Sequence, residues 1–342
     1  MTTITLKDVA ERANVSIATV DRVLHERAGV SARARQRVKE AIHDLGFGQL
    51  PVRLTRAARG KLRFLFLMPG LETEFVRNLY DGLKKARTIV PDVEIQIEVQ
   101  RVSLADGKGI IAALEHVGPD RFNGVGVFAV DAPGVRQAID ETVDRGVPVV
   151  TLVSDVPLSR RAHFVGIDNV AAGRTAGRLM GKFLRGVSGS IGLVTGNQHM
   201  RDHVERHMGF RQIIGMDYRG LKMLPPVEGE SMDARNRSIV IDLMRDHGDL
   251  AGIYSIGAGN GGIITAIEEM QPARRPVVIL HELTRQTRKA LAAGAVDAII
   301  VQDTGHMTRS IVRLLSSLAF SEEHHDDQEK IRIEIFLAEN DL

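Results

Sequence analysis

The sequence predicts an α/β protein: a short all-helical head, then a body of parallel β-strands flanked by helices and folded into two lobes. Three observations predict it. Residues 6–45 carry apolar side chains at helical spacing, broken by residues that start and stop helices. From residue 62 onward, apolar strand-like runs alternate with helical patterns, an order that implies parallel sheets wound right-handed. Those runs are too many for one comfortable sheet, which points to two lobes.

The head comes first. Thr5 is a candidate N-cap with Asp8 three residues on, and Leu6, Val9, Ala10 and Ala13 follow at helical spacing. Asn14 ends this helix, because Asn tolerates the left-handed backbone of a tight turn. Ser16 caps a second helix, with Val20, Val23 and Leu24 inward. Ser31 caps a third, with Ala34, Val38, Ala41, Ile42 and Leu45 inward. Two short helices on a tight turn, braced by a third, form a helix-turn-helix arrangement, and the same spacing also fits an ordinary helical bundle. In the first reading the second helix enters the major groove of DNA. Its outward positions are Ile17, Ala18, Asp21 and Arg22. Arg22 can read guanine through a paired hydrogen bond, and Ile17 and Ala18 can touch a thymine methyl. Ser16 and Thr19 suit phosphate oxygens.

The string L-K-D-V-A-x-x-A-x-V-S-x-x-T-V-x-R-V-L, residues 6–24, resembles the DNA-binding head of the LacI/GalR family of bacterial transcription regulators. The resemblance is dense over residues 1–47. It departs at Asp21, where the family usually carries Ser. A carboxylate beside the DNA backbone repels phosphate, so Asp21 either faces away or reads a cytosine amino group. The DNA-facing set in the head is then Ser16, Ile17, Ala18, Thr19, Asp21, Arg22, His25 and Ser31.

Residues 48–61, GQLPVRLTRAARGK, form a linker. Pro51 can start a short helix over 52–59, along which Arg53, Arg56 and Arg59 make a basic stripe. The residues alone fit a flexible basic tether. The resemblance implies instead the family's hinge helix, which folds on DNA and pushes an apolar wedge, usually Leu, into the minor groove. That position holds Ala58, a poor wedge, with Leu54 one turn earlier. The expectation is weaker kinking, or Leu54 in the wedge role, with Arg53, Leu54 and Ala58 facing DNA.

Composition bounds the rest. With 342 residues the chain can hold two or three domains. It has no cysteine, so neither disulfides nor thiol chemistry are available. No apolar run approaches the roughly 20 residues of a membrane span, and no basic-then-apolar secretion pattern opens the chain. No membrane association is expected; the expected location is cytoplasmic, at the bacterial nucleoid. The formal net charge of +2 hides an asymmetry: residues 1–61 hold 12 Lys+Arg against 6 Asp+Glu, and the remainder 33 against 37. A basic head on a slightly acidic body fits a head seated on phosphates.

In the body, strand patterns cover 62–69, 93–102, 123–130, 147–155, 163–169, 190–196, 220–225, 250–257, 276–282, 295–302 and 330–337. Helical patterns cover about 74–88, 106–117, 133–145, 170–185, 203–216, 232–247, 261–269, 284–293 and 305–319. This order resembles the two-lobed sugar-binding fold shared by periplasmic binding proteins and LacI-family cores. The resemblance implies an effector-binding core over 62–342, with crossings near Gly166–Asn169, near Gln302 and near 328–331. Lobe 1 is then about 62–166 and 303–328, and lobe 2 about 167–302 and 329–342.

Ligands of α/β sheets bind beyond the carboxyl ends of strands. Those ends hold Glu72, Glu74 and Phe75; Ser154 and Asp155; Asn197, Arg201 and Arg206; Gly257 to Asn260; His281 and Glu282; and Gln302 and Asp303. Carboxylates, amides and a guanidinium converging on a cleft can pair with sugar hydroxyls in both directions. The resemblance sharpens the list. The Arg of the family's R-x-x-G-F is Arg206, before Phe210. The family's second-lobe Asn/Asp corresponds to Asn260, its Asp at the next strand end to Glu282, and a ligand-contacting Gln to Gln302. The candidate effector set is Phe75, Ser154, Asp155, Arg206, Asn260, Glu282 and Gln302. With no Trp in the chain, ring stacking falls to Phe75 or another Phe or Tyr.

Other motifs compete. Gly257-Ala-Gly-Asn-Gly-Gly262 is a literal G-x-G-x-x-G after a strand, with Glu282 twenty residues beyond. It supports a rival reading as an NAD(H)-binding redox regulator or enzyme; a turn whose glycines admit an effector is the alternative. Asp168-Asn169 with Gly173 resembles the family's D-N-x-x-G, which serves lobe geometry and helix capping. His199, His203 and His207 at four-residue spacing, and the run His324-His325-Asp326-Asp327, are weak metal patterns better read as surface. There is no nucleophile motif and no P-loop. The sequence therefore predicts a regulator, a repressor rather than an enzyme, without cofactor or metal. Its partners are a palindromic double-stranded DNA operator, a second copy of itself and a carbohydrate-type effector (sugar, polyol or sugar acid) that shifts operator affinity. A solute-binding transport protein would share the body but not the basic head.

Overall fold

The computed structural model describes residues 6–24, 30–44, 60–70, 73–197, 200–323 and 326–340. The chain divides into a head that ends at Gly60 and a core that begins at Lys61.

The head holds α1 (Leu6–Ala13), α2 (Ile17–Leu24) and α3 (Ala32–Asp44). Asn14 makes the turn between α1 and α2 in the left-handed region, at φ 49°. The Ser16 hydroxyl accepts the N–H of Thr19 at 3.1 Å, so it caps α2. Ser31 does the same for α3, accepting from Ala34 at 3.2 Å. Val9, Ala10, Ala13, Val20, Val23, Val38 and Ala41 form the buried centre, one set from each helix. Among the described side chains of α2, Ile17, 50% exposed, Ala18 and Arg22 remain outside.

The core opens with β1 (Lys61–Pro69), α4 (Glu74–Ala86), β2 (Glu94–Val102), α5 (Lys108–Glu115), β3 (Gly124–Val127), α6 (Val135–Asp144), β4 (Val149–Leu152) and β5 (His163–Val165). Their strands make one all-parallel sheet in the order β2-β1-β3-β4-β5. The near-continuous apolar run of β1 suits an interior strand, between β2 and β3, where both faces are covered. The chain then supplies α7 (Asn169–Phe183), β6 (Gly189–Thr195), α8 (Arg201–Asp217), β7 (Leu221–Met223), β8 (Val227–Glu228), α9 (Asp233–Asp246), β9 (Leu250–Ser255), α10 (Asn260–Met270), β10 (Val277–His281), α11 (Arg285–Ala292) and β11 (Ala298–Gln302). With β12 (Ile333–Phe336), these strands build a second sheet in the order β12-β11-β10-β9-β6-β7, with β8 also on β6. We call the first sheet and its helices lobe 1, and the second lobe 2.

After β11 the chain returns to lobe 1. In α12 (Thr304–Phe320), Thr308 abuts Gly82 of α4, and Ile311 and Leu315 abut Gly126 and Gly124 of β3. The short α13 (Asp326–Glu329) stays with it, because Arg313 grips Glu329 through two hydrogen bonds of 2.9 and 2.6 Å. Then β12 (Ile333–Phe336) rejoins lobe 2. It runs antiparallel to β11, its first residue paired with Gln302 at the end of β11. Lobe 2 thus carries one antiparallel edge strand beside its parallel strands. A strand arriving from the other lobe enters at the cleft edge, where its neighbours end, and must run the opposite way. The two-residue β8 and the one-turn α13 also lie outside the sequence expectation, being too short to carry a period. Among the described residues, no helix is long and apolar enough to cross a membrane.

Candidate functional site

A cleft of about 1430 Å³ lies between the carboxyl ends of the two sheets. Phe75, Leu104, Phe128 and Val153 line it from lobe 1; Asp202, His203, Arg206, Asn260, His281 and Glu282 line it from lobe 2; Gln302 stands at the crossing.

Arg206 is placed by backbone contact. Helices α7 and α8 approach so closely that a Cβ on Gly173 would lie 2.0 Å from the Arg206 carbonyl oxygen, and one on Gly209 2.1 Å from that of Val170. Only glycine fits either place, so the glycines of D-N-x-x-G and R-x-x-G-F bring the motifs together. Asp168 caps α7 by accepting from Ala171. Its neighbour Asn169, 2% exposed, accepts from Arg206 Nε at 2.9 Å. Arg206 Nη1 donates to the Ile256 carbonyl at 3.0 Å. Nη2 lies 3.9 Å from Asp202, one turn back on α8. Both side chains are buried, yet Arg206 Nη2 and Asp202 Oδ1 have no hydrogen-bond partner in the protein.

A second polar group surrounds His281. Tyr254 of β9 stacks on Phe210 at 4.5 Å between ring centres, and its hydroxyl meets His281 Nε2 at 2.8 Å. Burial, with the charge of Arg206, holds His281 well below the usual histidine range, so it is neutral; burial also pushes the Tyr254 hydroxyl up. His203 is lowered for the same first reason. Gln302 Nε2 donates to Glu282 Oε1 at 3.0 Å. Burial pushes the Glu282 carboxyl up to about 7, opposed by Arg206 and by this hydrogen bond. His281 Nδ1 and Gln302 Oε1 are likewise buried without a protein partner. Non-glycine residues lining the cleft sit in the left-handed region at Val153 (φ 68°), Glu230 (φ 53°), Ser231 (φ 59°) and Glu282 (φ 70°). For a β-branched residue such as Val153 that is strained backbone, of order 1–3 kcal/mol.

Of the sequence-predicted set, Phe75, Arg206, Asn260, Glu282 and Gln302 line the cleft. Asn260 lends it little polarity: its amide accepts from Ser255 at 2.7 Å and donates to the His281 carbonyl at 2.9 Å, tying β9 to β10. Asp155 is a correction. Its carboxylate is held by both nitrogens of the Arg161 fork and by Thr151 Oγ1 at 2.7 Å, and it does not line the cleft. Ser154 is a second correction: it is fully buried, its Oγ without a protein partner, and it does not line the cleft. Glu74 accepts the Arg285 N–H at 2.9 Å and Arg201 pairs with Asp131 at 3.4 Å, two links between the lobes. Asn197 donates its N–H to His203 Nδ1 at 3.1 Å. His203 faces the cleft while His207 lines a groove with Val170 and Met208 on the α7–α8 surface, so these two do not converge.

In the head, Ser16, Ile17, Ala18, Arg22 and Ser31 are exposed and Thr19 is half-buried, its hydroxyl 2.9 Å from that of Ser16. His25, Arg53, Leu54, Ala58, Glu72, His199, His324 and His325 lie outside the described residues, as does the side chain of Asp21. Sequence reasoning missed Asp202, Asn236, Phe128, Val153 and Tyr254. Asp202 carried a signal, an opposite charge four residues before Arg206. Tyr254 did too, as the polar-tipped ring in an apolar strand.

The G-x-G-x-x-G has a packing cause. A Cβ on Gly262 would lie 1.8 Å from the Asp233 carbonyl oxygen, and one on Gly261 2.4 Å from Gln286 Oε1. Gly259 turns at φ 80°, and Asn236 Nδ2 donates to the Ala258 and Gly259 carbonyls at 3.0 and 2.8 Å. These glycines seat α10 against α9 and shape the cleft floor.

Residues 64–323 match the periplasmic binding protein domain family, and residues 5–48 match bacterial regulatory proteins of the lacI family. The chain belongs to the periplasmic-binding-protein-domain family and carries a LacI-family head. Over the head it is 43% identical across 58 residues to the HTH-type transcriptional regulator TreR of Salmonella typhimurium, which is 17% of this chain and 18% of that protein. It is 49% identical across 55 residues to the HTH-type transcriptional regulator reg1 of Streptomyces lividans, 16% of each chain. The chain thus spans under a fifth of the length of the curated relatives it matches. By fold, the core is similar to GanP, a glucose-galactose binding protein from Geobacillus stearothermophilus: TM-score 0.72, 19% identity, 82% of this chain and 98% of that one. It is similar also to a solute-binding protein of an ABC transporter from Burkholderia graminis, solved with D-arabinose: TM-score 0.73, 21% identity, 81% and 96%. These likenesses establish the two-lobed fold of the LacI-headed chain.

Proposed function

We propose that this LacI-headed protein is a cytoplasmic transcriptional regulator, a repressor, that binds a palindromic DNA operator as a homodimer and answers to a carbohydrate-type effector in the cleft. One observation carries the reading: a single chain joins a LacI-family head, with Ile17, Ala18 and Arg22 exposed on α2, to a cleft whose buried polar atoms lack protein partners. A hydroxyl both donates and accepts, so sugar hydroxyls suit a mixed set of guanidinium, carboxylate, amide and imidazole. DNA and effector favour different arrangements of one molecule, so binding of either shifts affinity for the other. One head reads a half-site; a two-fold dimer reads a palindrome. The names of the matched relatives, both transcriptional regulators, support this over an enzyme, and the head supports it over a transport protein. The glycine loop, explained by packing, gives the NAD(H) reading no support of its own.

The test has two steps. Selection from random duplex DNA should return a palindrome, and fluorescence anisotropy on that duplex should respond to a sugar or polyol found by thermal shift. Selection of no sequence, or a response to NADH and to no carbohydrate, would refute the reading.

A further inference from the structure

The cleft is two-faced. On lobe 2 and at the crossing, Asp202 Oδ1, Arg206 Nη2, His281 Nδ1 and Gln302 Oε1 are buried without protein partners. The recessed wall of lobe 1 is apolar: Phe128 is 6% exposed, Val153 2%, and Phe75 stands half-buried beside them. The polar side chains that end β4 do not line it: Asp155 is gripped by Arg161, and Ser154 is fully buried, its Oγ without a protein partner. Among the described residues, the other polar side chains lining the cleft from lobe 1 are engaged or exposed. Thr73 caps α4, Glu74 accepts from Arg285, and Arg77, Arg101 and Ser103 are exposed.

We propose that the effector is one-sided: a ring whose hydroxyls line one edge, toward lobe 2, and whose opposite edge bears hydrogens or a methyl group, as in a deoxy- or methyl-substituted sugar or cyclic polyol. A hydroxyl turned toward Phe128 and Val153 loses its water and finds no partner, whereas a methyl group there gains contact. The four unpartnered atoms offer one fixed donor, two fixed acceptors and an imidazole nitrogen, a set that hydroxyls satisfy in either sense. This narrows, and rests on, the reading of the cleft as a carbohydrate site.

Isothermal titration of the full chain with matched pairs tests it. The pairs are D-galactose and D-fucose, L-mannose and L-rhamnose, and D-glucose with its 2-, 3-, 4- and 6-deoxy forms. In at least one pair the deoxy member should bind tenfold or more tightly than its hydroxylated partner, about 1.4 kcal/mol. The variant Phe75→Gln, with thermal unfolding as its folding control, places an amide on the apolar wall and should narrow or reverse that preference. If the hydroxylated member binds as tightly or more tightly in every pair, one-sidedness is overturned while the carbohydrate site stands. If none of these compounds binds, the carbohydrate reading falls and this inference with it.

Discussion

Replacing Arg206 by Met keeps most of the stem's volume and removes the guanidinium, which tests how the cleft is held. The substitution strands Asn169 Oδ1 and the Ile256 carbonyl, each of which accepts from this side chain, and leaves Asp202 buried without its cation 3.9 Å away. Each hydrogen bond to a charged donor contributes roughly 1.5–3 kcal/mol. Breaking a buried pair by removing one partner costs about 3–5 kcal/mol in total, because the losses overlap. Urea unfolding followed by circular dichroism should show that drop as a lower midpoint at an unchanged slope. Adding Asp202→Asn removes the stranded charge, so the double variant should recover about 1–3 kcal/mol relative to the sum of the singles. A single-variant cost under about 1 kcal/mol, or strict additivity, would show that Arg206 is solvated, and the account of Gly173 and Gly209 as its positioners would fail with it.

Gly209→Ala drives a Cβ into the Val170 carbonyl, a backbone atom that cannot step aside, so it should lower stability by at least about 2–3 kcal/mol and weaken effector binding as α8 shifts; thermal unfolding with and without ligand reads both. For Glu282 the fold raises the carboxyl from 4.5 to about 7, so its contribution is complete below about pH 4.5 and is lost as pH rises to about 7. That loss is at most about 3 kcal/mol. His281 and His203 act oppositely, contributing above about pH 6.5 and losing stability as pH falls below it. Glu282→Gln should therefore gain melting temperature over the parent progressively from pH 5 to pH 8, and a pH-independent difference would contradict it. Asp155→Asn should cost about 1–2 kcal/mol in thermal unfolding with effector affinity unchanged, since its partners Arg161 and Thr151 lie off the cleft; a loss of affinity would return it to the site. Arg22→Ala should weaken operator binding by roughly 1–3 kcal/mol with selectivity relaxed at one base pair, whereas equal weakening on every duplex in anisotropy would make Arg22 a phosphate contact.

Much of the fold was legible because each level of the chain agrees with the next. Ser16 and Ser31 mark the helix starts they cap, Asn14 marks the turn it makes, and the apolar run of β1 marks a strand covered on both faces. The motif residues Arg206, Glu282 and Gln302 were legible because strand ends point at clefts. The illegible part depends on what a side chain meets after folding. Asp155 at a strand end reads as a ligand group until Arg161, six residues on, is found to claim it. The G-x-G-x-x-G reads as a phosphate loop until Asp233, distant in sequence, fills the space a side chain would need. Phe128 and Val153 carry no local signal of function, because an apolar residue that ends a strand reads as core. The antiparallel course of β12 follows from which lobe the chain comes from, which no local pattern encodes.

On the proposed reading, the uneven polarity of the cleft gives the lobes different tasks. Lobe 2 holds its groups rigidly: α7 and α8 touch backbone to backbone at Gly173 and Gly209, and Asn260 ties β9 to β10. Hydrogen bonds from so rigid a wall discriminate by geometry. Lobe 1 adds apolar contact, which is non-directional and rewards closure on an apolar edge. Its links to lobe 2 include the Arg201–Asp131 pair at 3.4 Å, partly exposed and so worth about 0–1 kcal/mol, and the Glu74–Arg285 hydrogen bond, worth roughly 1 kcal/mol. One methylene buried against Phe128 and Val153 contributes about 0.8 kcal/mol, the same scale. A ligand differing by that one group therefore shifts the equilibrium between open and closed lobes by about fourfold. The two walls thus select on different features: substitutions at Gln302 should change which hydroxyl patterns bind, while substitutions at Phe75 should change the preference for an apolar edge and how strongly a bound ligand closes the lobes.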